Sequence, residues 1–381
     1  MESLQKDPMY SFLMVLTVAA YVGLQGWQTL FNNFAVELVQ LEGDQMGMIQ
    51  SIREIPGFLS LLAVFLLLIV SEHQLSAYSI MVLGIGLALT GFFPTYMGLM
   101  LTTLLMSTGF HYYETTNQSL TLQYFNHETS PRIFGKLRSL AAASNIGIGL
   151  FILLLSKILA YRQLYLIIGI FILAIGGWGF LQNPSRTDIQ PQHKKMVYRK
   201  KYWLYYFLTF MAGARRQIFV AFAVFLLVKK FQFSIQDITL LFIINNLINY
   251  FLSPAIGRAI IKYGERAVLS AEYFSNMFIF VAYALTGSKI LVSVLFILDH
   301  IFFNFSIAIR TYFQKIGEKG DIAPSMAMGF TVNHIAAVFI PALGGLMWMI
   351  DYKIPFYTGA VLSLISLMAV QKIKLKSPVE S

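Results

Sequence analysis

The chain has 381 residues, of which 57% are hydrophobic and only 12% are charged. A soluble domain of this size could not bury so much apolar surface, so the water-soluble classes are excluded. The net charge of +10 does not indicate a nucleic-acid partner, because the basic residues lie in short loops beside apolar stretches, as in membrane proteins. Cysteine is absent, which excludes disulfides and thiolate metal sites.

A membrane-spanning helix needs roughly 20 mostly apolar residues. Twelve stretches meet this requirement: residues 9–37, 46–70, 76–94, 97–125, 136–160, 163–181, 203–228, 235–257, 267–286, 290–313, 324–350 and 355–371. The first has no small-residue cleavage site, so we expect a span there and not a cleavable signal.

One long polar segment, residues 182–201, interrupts the series and is rich in proline, lysine and arginine. It predicts two domains, a six-helix bundle over residues 1–181 and another over residues 202–381, joined by a basic cytoplasmic linker. Such a linker can rest against anionic lipid headgroups. A solvated linker is the simpler interpretation, and a regulatory site is the alternative.

An internal repeat supports this division. Residues 31–38 resemble residues 219–226, which lie 188 positions later, and the same offset pairs Tyr124 with Tyr312 and Asn145 with Asn333. A repeat at a fixed offset indicates one structural unit used twice, which is typical of transporters with a site between two similar halves.

The distribution of lysine and arginine predicts the orientation. With the N-terminus inside, the inner loops and tails hold 19 of these residues, the outer loops hold six, and three lie within spans. Cytoplasmic loops carry the excess of basic residues, so we expect both termini in the cytoplasm.

The predicted loop between spans 8 and 9, residues 257–266, resembles the loop signature of the major facilitator superfamily. Four residues stand at matching positions, namely Gly257, Lys262, Gly264 and Arg266. Ile261 replaces the usual acid, and the first-half counterpart, residues 69–78, keeps almost none of the pattern. The resemblance implies an all-α membrane protein in which twelve helices form two pseudo-symmetric six-helix bundles. It also implies a bacterial carrier of unknown substrate, with a cavity lined by spans 1, 4, 7 and 10, and a gating role for the four matching residues.

Ionisable side chains inside spans are costly, so each one is a functional candidate. Span 4 carries His111 and Glu114, and span 10 carries Asp299 and His300. A carboxyl whose charge depends on a nearby arginine can switch on protonation, so these four residues are the predicted proton-coupling groups. A fixed ion pair is the alternative for Glu114, and a hydrogen-bonded packing role is the alternative for each histidine.

Span 7 carries Arg215 and Arg216, which point about 100° apart on a helix and so cannot both face a cavity. Span 1 has a polar stripe of Gln25, Gln28 and Asn32, and the repeat pairs Gln28 with Arg216. We therefore expect Arg216 to face the cavity, with a structural ion pair as the alternative. Arg215 should pair with an acid on a neighbouring helix.

The remaining candidates have weaker signals. The predicted substrate contacts are Arg216, Arg215, Gln28, Asn32, Trp27, Tyr113 and Asn304. Arg53 and Glu54 precede Pro56 in span 2, where adjacent charges beside a kink suggest a gate or an interhelical latch. Interhelical hydrogen bonding is the expected role of Asn145 and Asn333. Glu272 lies near the loop and is expected to pair with Arg266.

Together these features predict a secondary transporter and not an enzyme. No Walker loop, dinucleotide fingerprint or zinc-protease motif occurs in the sequence, so we expect no cofactor and no resident metal. The expected substrate is a small polar, anionic organic solute, coupled to protons. A divalent metal carrier and a lipid or drug exporter are the alternatives. We expect a monomer surrounded by lipid in the bacterial inner membrane.

Overall fold

The computed structural model describes residues 7–59, 66, 67, 69–125, 129–185, 198–318 and 321–373. Most of these residues are helical, and this described part of the chain contains no strand. The predicted all-α class is confirmed.

Twelve helices lie over the twelve predicted spans, as far as the chain is described. The first six are α1 (Pro8–Glu37), α2 (Gly43–Phe58), α3 (Glu72–Thr90), α4 (Tyr96–Tyr124), α5 (Ser130–Leu155) and α6 (Tyr161–Leu181). The second six are α7 (Lys200–Lys229), α8 (residues 235–263), α9 (residues 265–285), α10 (Lys289–Ile316), α11 (Ile322–Ile350) and α12 (Lys353–Val370).

Nine helical segments in the described ranges are long and apolar enough to cross a membrane. The other three fall short for different reasons. The described part of α2 has only 16 residues, α4 carries polar side chains such as His111 and Glu114, and the apolar stretch of α8 is described only over Ile235–Asn249. Together with the composition, these helices identify an integral membrane protein.

Side-chain caps fix where several helices begin. The Asp7 carboxylate accepts a hydrogen bond from the Met9 amide at 2.9 Å, and Pro8 occupies the first helical position of α1. The hydroxyl of Thr95 accepts from the Gly98 amide at 3.1 Å at the start of α4. These caps satisfy amide donors that have no partner within the helix, and so they set the helical register of the residues that follow.

The predicted loop of residues 257–266 is wrong in extent. The chain stays helical through residue 263 and breaks only at Gly264, where φ is 79° and ψ is 162°. A positive φ strains residues with a Cβ atom, so glycine suits this break between α8 and α9.

Two helices that carry predicted site residues are locally irregular. In α7, the residues Phe219–Ala223 form a π-helical segment directly after Arg215 and Arg216. In α10, a 3₁₀ turn spans Asn304–Ser306, just after Asp299 and His300. Such irregular turns often occur at functional sites.

The chain divides into two compact units. The first contains the described residues within Met1–Leu41, Ile52–His193 and Phe233–Asn246, and the second contains those within Glu42–Ser51, Lys194–Gln232 and Leu247–Ser381. Each unit therefore includes one short segment from the other predicted half. The predicted boundaries at residues 181 and 202 stay a prediction.

In the first unit, glycines allow helices to approach closely. A Cβ atom on Gly86 would lie 2.4 Å from the Met106 amide nitrogen, and one on Gly109 would lie 2.3 Å from the Leu83 amide nitrogen. The backbones of α3 and α4 are therefore in contact, as small residues permit in membrane proteins. The amide of Asn145 donates to Asn246 at 3.3 Å, which confirms the predicted interhelical bond of Asn145.

In the second unit, α7 packs closely on α11. A Cβ atom on Gly213 would lie 2.6 Å from the amide nitrogen of Asn333, which itself donates to the Thr209 carbonyl at 3.3 Å. The predicted interhelical bond of Asn333 is thus confirmed. Gly47 of α2 meets α11 as well, because its Cβ would lie 2.2 Å from the Pro341 carbonyl oxygen.

Replacing Gly109 by alanine should lower the melting temperature of the purified protein. The new methyl group would collide with the α3 backbone, and overpacking of this kind costs about 1–3 kcal/mol. The matched control is Gly147→Ala in α5, since in the described part of the chain no atom of a neighbouring helix lies within 4 Å of the Cβ position there. The control should be neutral or slightly stabilising. Equal melting temperatures for the two variants would contradict the close packing of α3 and α4.

Candidate functional site

A buried charged cluster joins three helices of the second unit. The Arg215 guanidinium of α7 donates to the Glu272 carboxylate of α9 at 3.2 Å, and both side chains are at most 4% exposed. Asp299 of α10 is 3% exposed and interacts electrostatically with both residues. The guanidinium also lies over the ring of Tyr273, 4.1 Å from its centroid. The prediction that Arg215 pairs with an acid on a neighbouring helix is confirmed.

Glu272 is the member of this cluster whose predicted partner is wrong. Arg266 donates instead to the Gln371 side chain at 3.0 Å, so the predicted Glu272–Arg266 pair is wrong. The signal available in the sequence was the acid itself, because a carboxyl inside an apolar helix is a functional candidate by default. Proximity to the predicted loop of residues 257–266 favoured the nearer arginine instead.

Arg216 lies on a different side of α7 from Arg215. Its side chain is exposed, and its guanidinium carbon lies over the Phe303 ring, 5.2 Å from the centroid. It also interacts electrostatically with His300. The structure thus divides the two arginines as the repeat predicted, with Arg215 buried and Arg216 accessible.

A polar chain lies near Arg216 on α8 and α10. The Asn249 amide and His300 Nε2 are 2.7 Å apart, and the Asn304 amide donates to the Asn249 carbonyl oxygen at 2.6 Å. Asn304 also donates to the His300 backbone carbonyl at 2.7 Å. These bonds fix the orientation of the three side chains, and Asn304 and His300 are both predicted site residues.

Aromatic rings complete this surface. Phe219 begins the π-helical segment and stacks on Phe296 with ring centroids 5.2 Å apart, while its ring lies 6.5 Å from that of His300. We call this set the Arg216 face, and it consists of Arg216, Phe219, Asn249, His300, Phe303 and Asn304. It combines one cation, amide groups and apolar rings.

The first unit has a second titratable group of residues around Glu114. Glu114 is half-buried on α4, and both it and Arg138 of α5 act electrostatically on the Tyr21 hydroxyl of α1. His111, one turn earlier, is also half-buried and meets the Phe110 ring at 5.7 Å. A carboxyl, a guanidinium and a phenol from three helices therefore lie near one another.

The predicted substrate contacts on α1 and α4 differ in accessibility. Gln28 is half-buried, whereas Asn32 is 5% exposed and its side-chain oxygen has no hydrogen-bond partner among the residues that the structure describes. Trp27 and Tyr113 are each 1% exposed. Trp27 stacks on Phe31, and the Tyr113 hydroxyl bonds to Thr17 at 2.8 Å. Both side chains make packing contacts inside the unit, and their role as substrate contacts stays a prediction.

Arg53 and Glu54 bind to each other. The Arg53 guanidinium donates to Glu54 at 2.6 Å, both side chains are 9% exposed, and the guanidinium carbon lies 5.6 Å from the Trp27 ring centroid. The Ser107 hydroxyl donates to the Arg53 carbonyl oxygen. Through these contacts the Arg53–Glu54 region of α2 meets α1 and α4 within the first unit. This arrangement is closer to the predicted interhelical latch than to a substrate contact.

The four predicted gating residues lie before, at and after the break between α8 and α9. Gly257 is exposed with open space around its Cβ position, Gly264 forms the break, and Lys262 lies 5.1 Å from the Tyr263 ring centroid. Beside them, Glu265 is fully buried and pairs with Lys315 of α10 at 2.7 Å. This acid of the predicted loop is thus held by an ion pair.

A second ionic cluster lies where the predicted linker enters α7. Residues 186–197 of that linker are outside the described ranges. Asp321, just before α11, accepts a hydrogen bond from Tyr202 at 3.1 Å and pairs with Arg199 at 3.3 Å. Burial raises the pKa of the Asp321 carboxyl, but the Tyr202 hydrogen bond and the charges of Arg199 and Lys201 outweigh it, so the pKa lies below its ordinary value.

A cavity of about 350 Å³ lies in the first unit, away from these residues. Glu37, Tyr161 and Gln236 are among its lining residues. The Tyr161 hydroxyl donates to Glu37 at 2.7 Å, and Gln236 donates to Ser156 at 3.0 Å. The polar groups here bond to one another, and the predicted site residues are not among those that line this cavity.

No protein-family model matches the sequence, and no curated protein sequence matches it. Solved structures do match over nearly the whole chain. A variant of the nucleoside transporter NupG is similar with a TM-score of 0.78 and 16% identity, covering 95% of this chain and 99% of the other. A bacterial homologue of the iron transporter ferroportin, in an inward-facing state, is similar with a TM-score of 0.77 and 13% identity, covering 96% and 98%.

A bacterial homologue of the human lysosomal transporter Spinster, in an inward-facing and occupied conformation, is also similar. Its TM-score is 0.74 and its identity is 11%, with 95% of each chain covered. At identities this low the likeness shows the fold alone. The chain has the twelve-helix fold of the major facilitator superfamily, as its loop motif predicts.

Proposed function

We propose that this protein is a secondary active transporter that moves a small polar, anionic organic solute across a membrane by alternating access, coupled to protons. The observation that carries the proposal is Arg216, an exposed guanidinium within a membrane span and surrounded by the polar and aromatic groups of the Arg216 face.

The fold supports transport but does not select the cargo. The similar structures include a nucleoside transporter and a homologue of an iron transporter, so one architecture accommodates chemically different cargoes. The substrate class must therefore be argued from the side chains of this chain.

The Arg216 face favours an organic anion. A guanidinium binds carboxylate and phosphate groups through two parallel hydrogen bonds, and it stays charged at all physiological pH values. The Asn249–His300–Asn304 chain adds fixed polar groups beside it, and Phe219 and Phe303 supply apolar contact area. A few oriented polar groups among aromatic rings are typical of small-molecule sites.

Proton coupling is proposed for a carboxyl in each unit, Glu114 and Asp299, with His111 and His300 as neighbouring titratable groups. Each carboxyl interacts electrostatically with a neighbouring side chain. Glu114 interacts with Tyr21, which lies near Arg138, and Asp299 interacts with Arg215. Protonation of either carboxyl changes the charge that its partners meet, and this is how a proton can alter the relative stability of two conformations.

A divalent metal cargo is less well supported. Among the residues that the structure describes, no three His, Asp or Glu side chains come together in a group that could hold a metal ion. The exposed guanidinium of Arg216 would also repel a cation. No particular observation favours a lipid or drug exporter.

We also propose the membrane placement that the basic residues favour. Lysine and arginine are concentrated on the predicted inner side, which supports cytoplasmic termini and a bacterial inner membrane. The two halves, residues 1–181 and 202–381, would then be the moving bodies of a monomeric carrier.

Arg216→Ala should remove the binding of anionic solutes. Purified full-length protein is screened by thermal shift against a panel of organic anions, because a specific ligand stabilises the fold by mass action. Loss of a charge-assisted hydrogen bond costs about 1.5–3 kcal/mol, so affinity should fall roughly 10- to 100-fold.

The matched control for that screen is Arg162→Ala, because Arg162 is likewise exposed and lies over an aromatic ring, that of Phe92, at 4.2 Å. The control should keep the ligand-induced shift. If anions stabilise Arg216→Ala as much as the wild type, or if only cations and neutral solutes stabilise the wild type, the anion proposal is wrong.

Glu114→Gln should separate proton coupling from transport. In proteoliposomes, accumulation of the solute found in the screen should no longer respond to a pH gradient, while exchange of solute across the membrane persists, because the amide cannot release a proton. The surface variant Glu318→Gln should behave like the wild type. Accumulation by Glu114→Gln that still follows the pH gradient would exclude Glu114 from coupling.

A further inference from the structure

We propose that Asn304 and Asn249 are positioning residues that hold His300 in one neutral tautomer, with its ring hydrogen on Nδ1. His300 then gives the Arg216 face a fixed N–H donor in addition to the guanidinium. The inference rests on the proposed function, because it specifies how the proposed binding surface is built, but its test needs no transported solute.

The chain of hydrogen bonds begins at a backbone carbonyl. The side-chain nitrogen of Asn304 lies 2.7 Å from the carbonyl oxygen of His300, one turn earlier on α10. A carbonyl oxygen only accepts, so the group that faces it must be the NH₂ group of Asn304 and not its side-chain oxygen. The local backbone permits this bond. The backbone N–H of Asn304 donates to the Ile301 and Phe302 carbonyls at the 3₁₀ turn, which leaves the His300 carbonyl to the side chain.

This bond fixes the orientation of the next amide. The same NH₂ group of Asn304 lies 2.6 Å from one end of the Asn249 side chain on α8. Because the Asn304 group donates, the Asn249 atom must be its side-chain oxygen, and the two ends of an amide are assigned from such partners. The NH₂ group of Asn249 is therefore the end that faces His300, at 2.7 Å from Nε2.

The Asn249 amide determines where the imidazole carries its hydrogen. An NH₂ group only donates, so Nε2 of His300 has to present a lone pair to it. A neutral imidazole has one N–H group, which then lies on Nδ1. The other tautomer and the imidazolium both carry a hydrogen on Nε2, and either form would place two donors 2.7 Å apart. The hydrogen-bond chain thus selects a single form of the ring.

The other groups around the imidazole leave this assignment unchanged. From α7, Arg216 carries only donors, and the Phe219 ring is apolar. On α10, the preceding residue Asp299 is buried and interacts electrostatically with Arg215. Among the residues that the structure describes, no carboxylate bonds to the imidazole, so no carboxylate there competes with Asn249 for Nε2.

A fixed Nδ1–H group matches the chemistry proposed for the Arg216 face. His300 is half-buried, and its described side-chain hydrogen bond is made through Nε2, so Nδ1–H can donate to a solute. Under the proposed function Arg216 binds the charged end of an organic anion, and a neutral N–H donor suits a hydroxyl or carbonyl oxygen of the same molecule. His300 then orients the solute, and proton exchange is left to the carboxyl of Asp299.

Nuclear magnetic resonance of labelled histidine measures the tautomer directly. Full-length protein with ¹³C,¹⁵N-labelled histidine is placed in lipid nanodiscs, and the ring nitrogens that carry a hydrogen are recognised by their ¹⁵N chemical shifts. The chain has six histidines, and their signals are assigned by replacing each histidine in turn with glutamine. We expect His300 to show one neutral form at neutral pH, with its hydrogen on Nδ1.

Asn249→Asp should reverse the tautomer. Aspartate has nearly the shape of asparagine, but both of its side-chain oxygens accept hydrogen bonds. One oxygen keeps the bond from Asn304, and the other requires a hydrogen on Nε2 of His300. The matched control is Asn246→Asp, which places the same carboxyl one turn earlier on α8, where the amide donates to the Phe242 carbonyl. The control should keep the hydrogen on Nδ1.

A wild-type spectrum with the hydrogen on Nε2, or with a hydrogen on both ring nitrogens, would overturn the proposal, even if a variant fails to fold. An unchanged tautomer in Asn249→Asp would also overturn it, because the amide chain would then not position the ring. The same reversal in Asn246→Asp would overturn it too, in favour of an effect of charge alone. Failure of the thermal-shift screen would refute the proposed anion carrier but would leave the wild-type tautomer unaffected.

Discussion

The buried ion pair between Arg215 and Glu272 is the interaction on which the account of this protein depends. Breaking such a pair by removing one partner leaves an uncompensated charge and is strongly destabilising, whereas the pair itself contributes little net stability. Asp299 is a second buried acid that interacts electrostatically with the same guanidinium, and a purely structural pair does not require it. A polar group this costly in a membrane span is best explained by a function, and proton coupling is the function proposed for Asp299.

The same helices carry the Arg216 face, which is the proposed binding surface. Because consecutive residues of a helix point about 100° apart, α7 and α10 can each carry one member of the buried cluster and one member of the Arg216 face. Close glycine contacts, such as Gly213 against Asn333, hold α7 against α11 with little free space. A tightly packed interface resists gradual deformation, so a change in charge is expected to favour one of a few discrete arrangements.

Much of this organisation could be predicted from the sequence, for identifiable physical reasons. Apolar length marks the twelve spans, and the repeat together with helical geometry separates Arg215 from Arg216. The partner of Glu272 could not be predicted, because Arg215 lies 57 positions away in the chain and only the packing of α7 against α9 brings the two residues together. Whether Trp27 and Tyr113 pack or bind substrate could not be predicted, since aromatic residues are so common here that composition cannot distinguish the two roles. The helical extent of residues 257–263 was missed because polar residues there resemble a loop.

The absence of cysteine from the natural chain allows a direct test of which side chains meet water. Arg216→Cys, Asp299→Cys and Leu154→Cys are made singly and treated with a charged, water-soluble thiol reagent, which modifies only thiols that can ionise. Leu154 is 68% exposed on an apolar helix, so it represents a lipid-facing position. The account predicts rapid labelling of Arg216→Cys and slow labelling of the other two. Labelling of Arg216→Cys as slow as that of Leu154→Cys, or of Asp299→Cys as fast as that of Arg216→Cys, would contradict it.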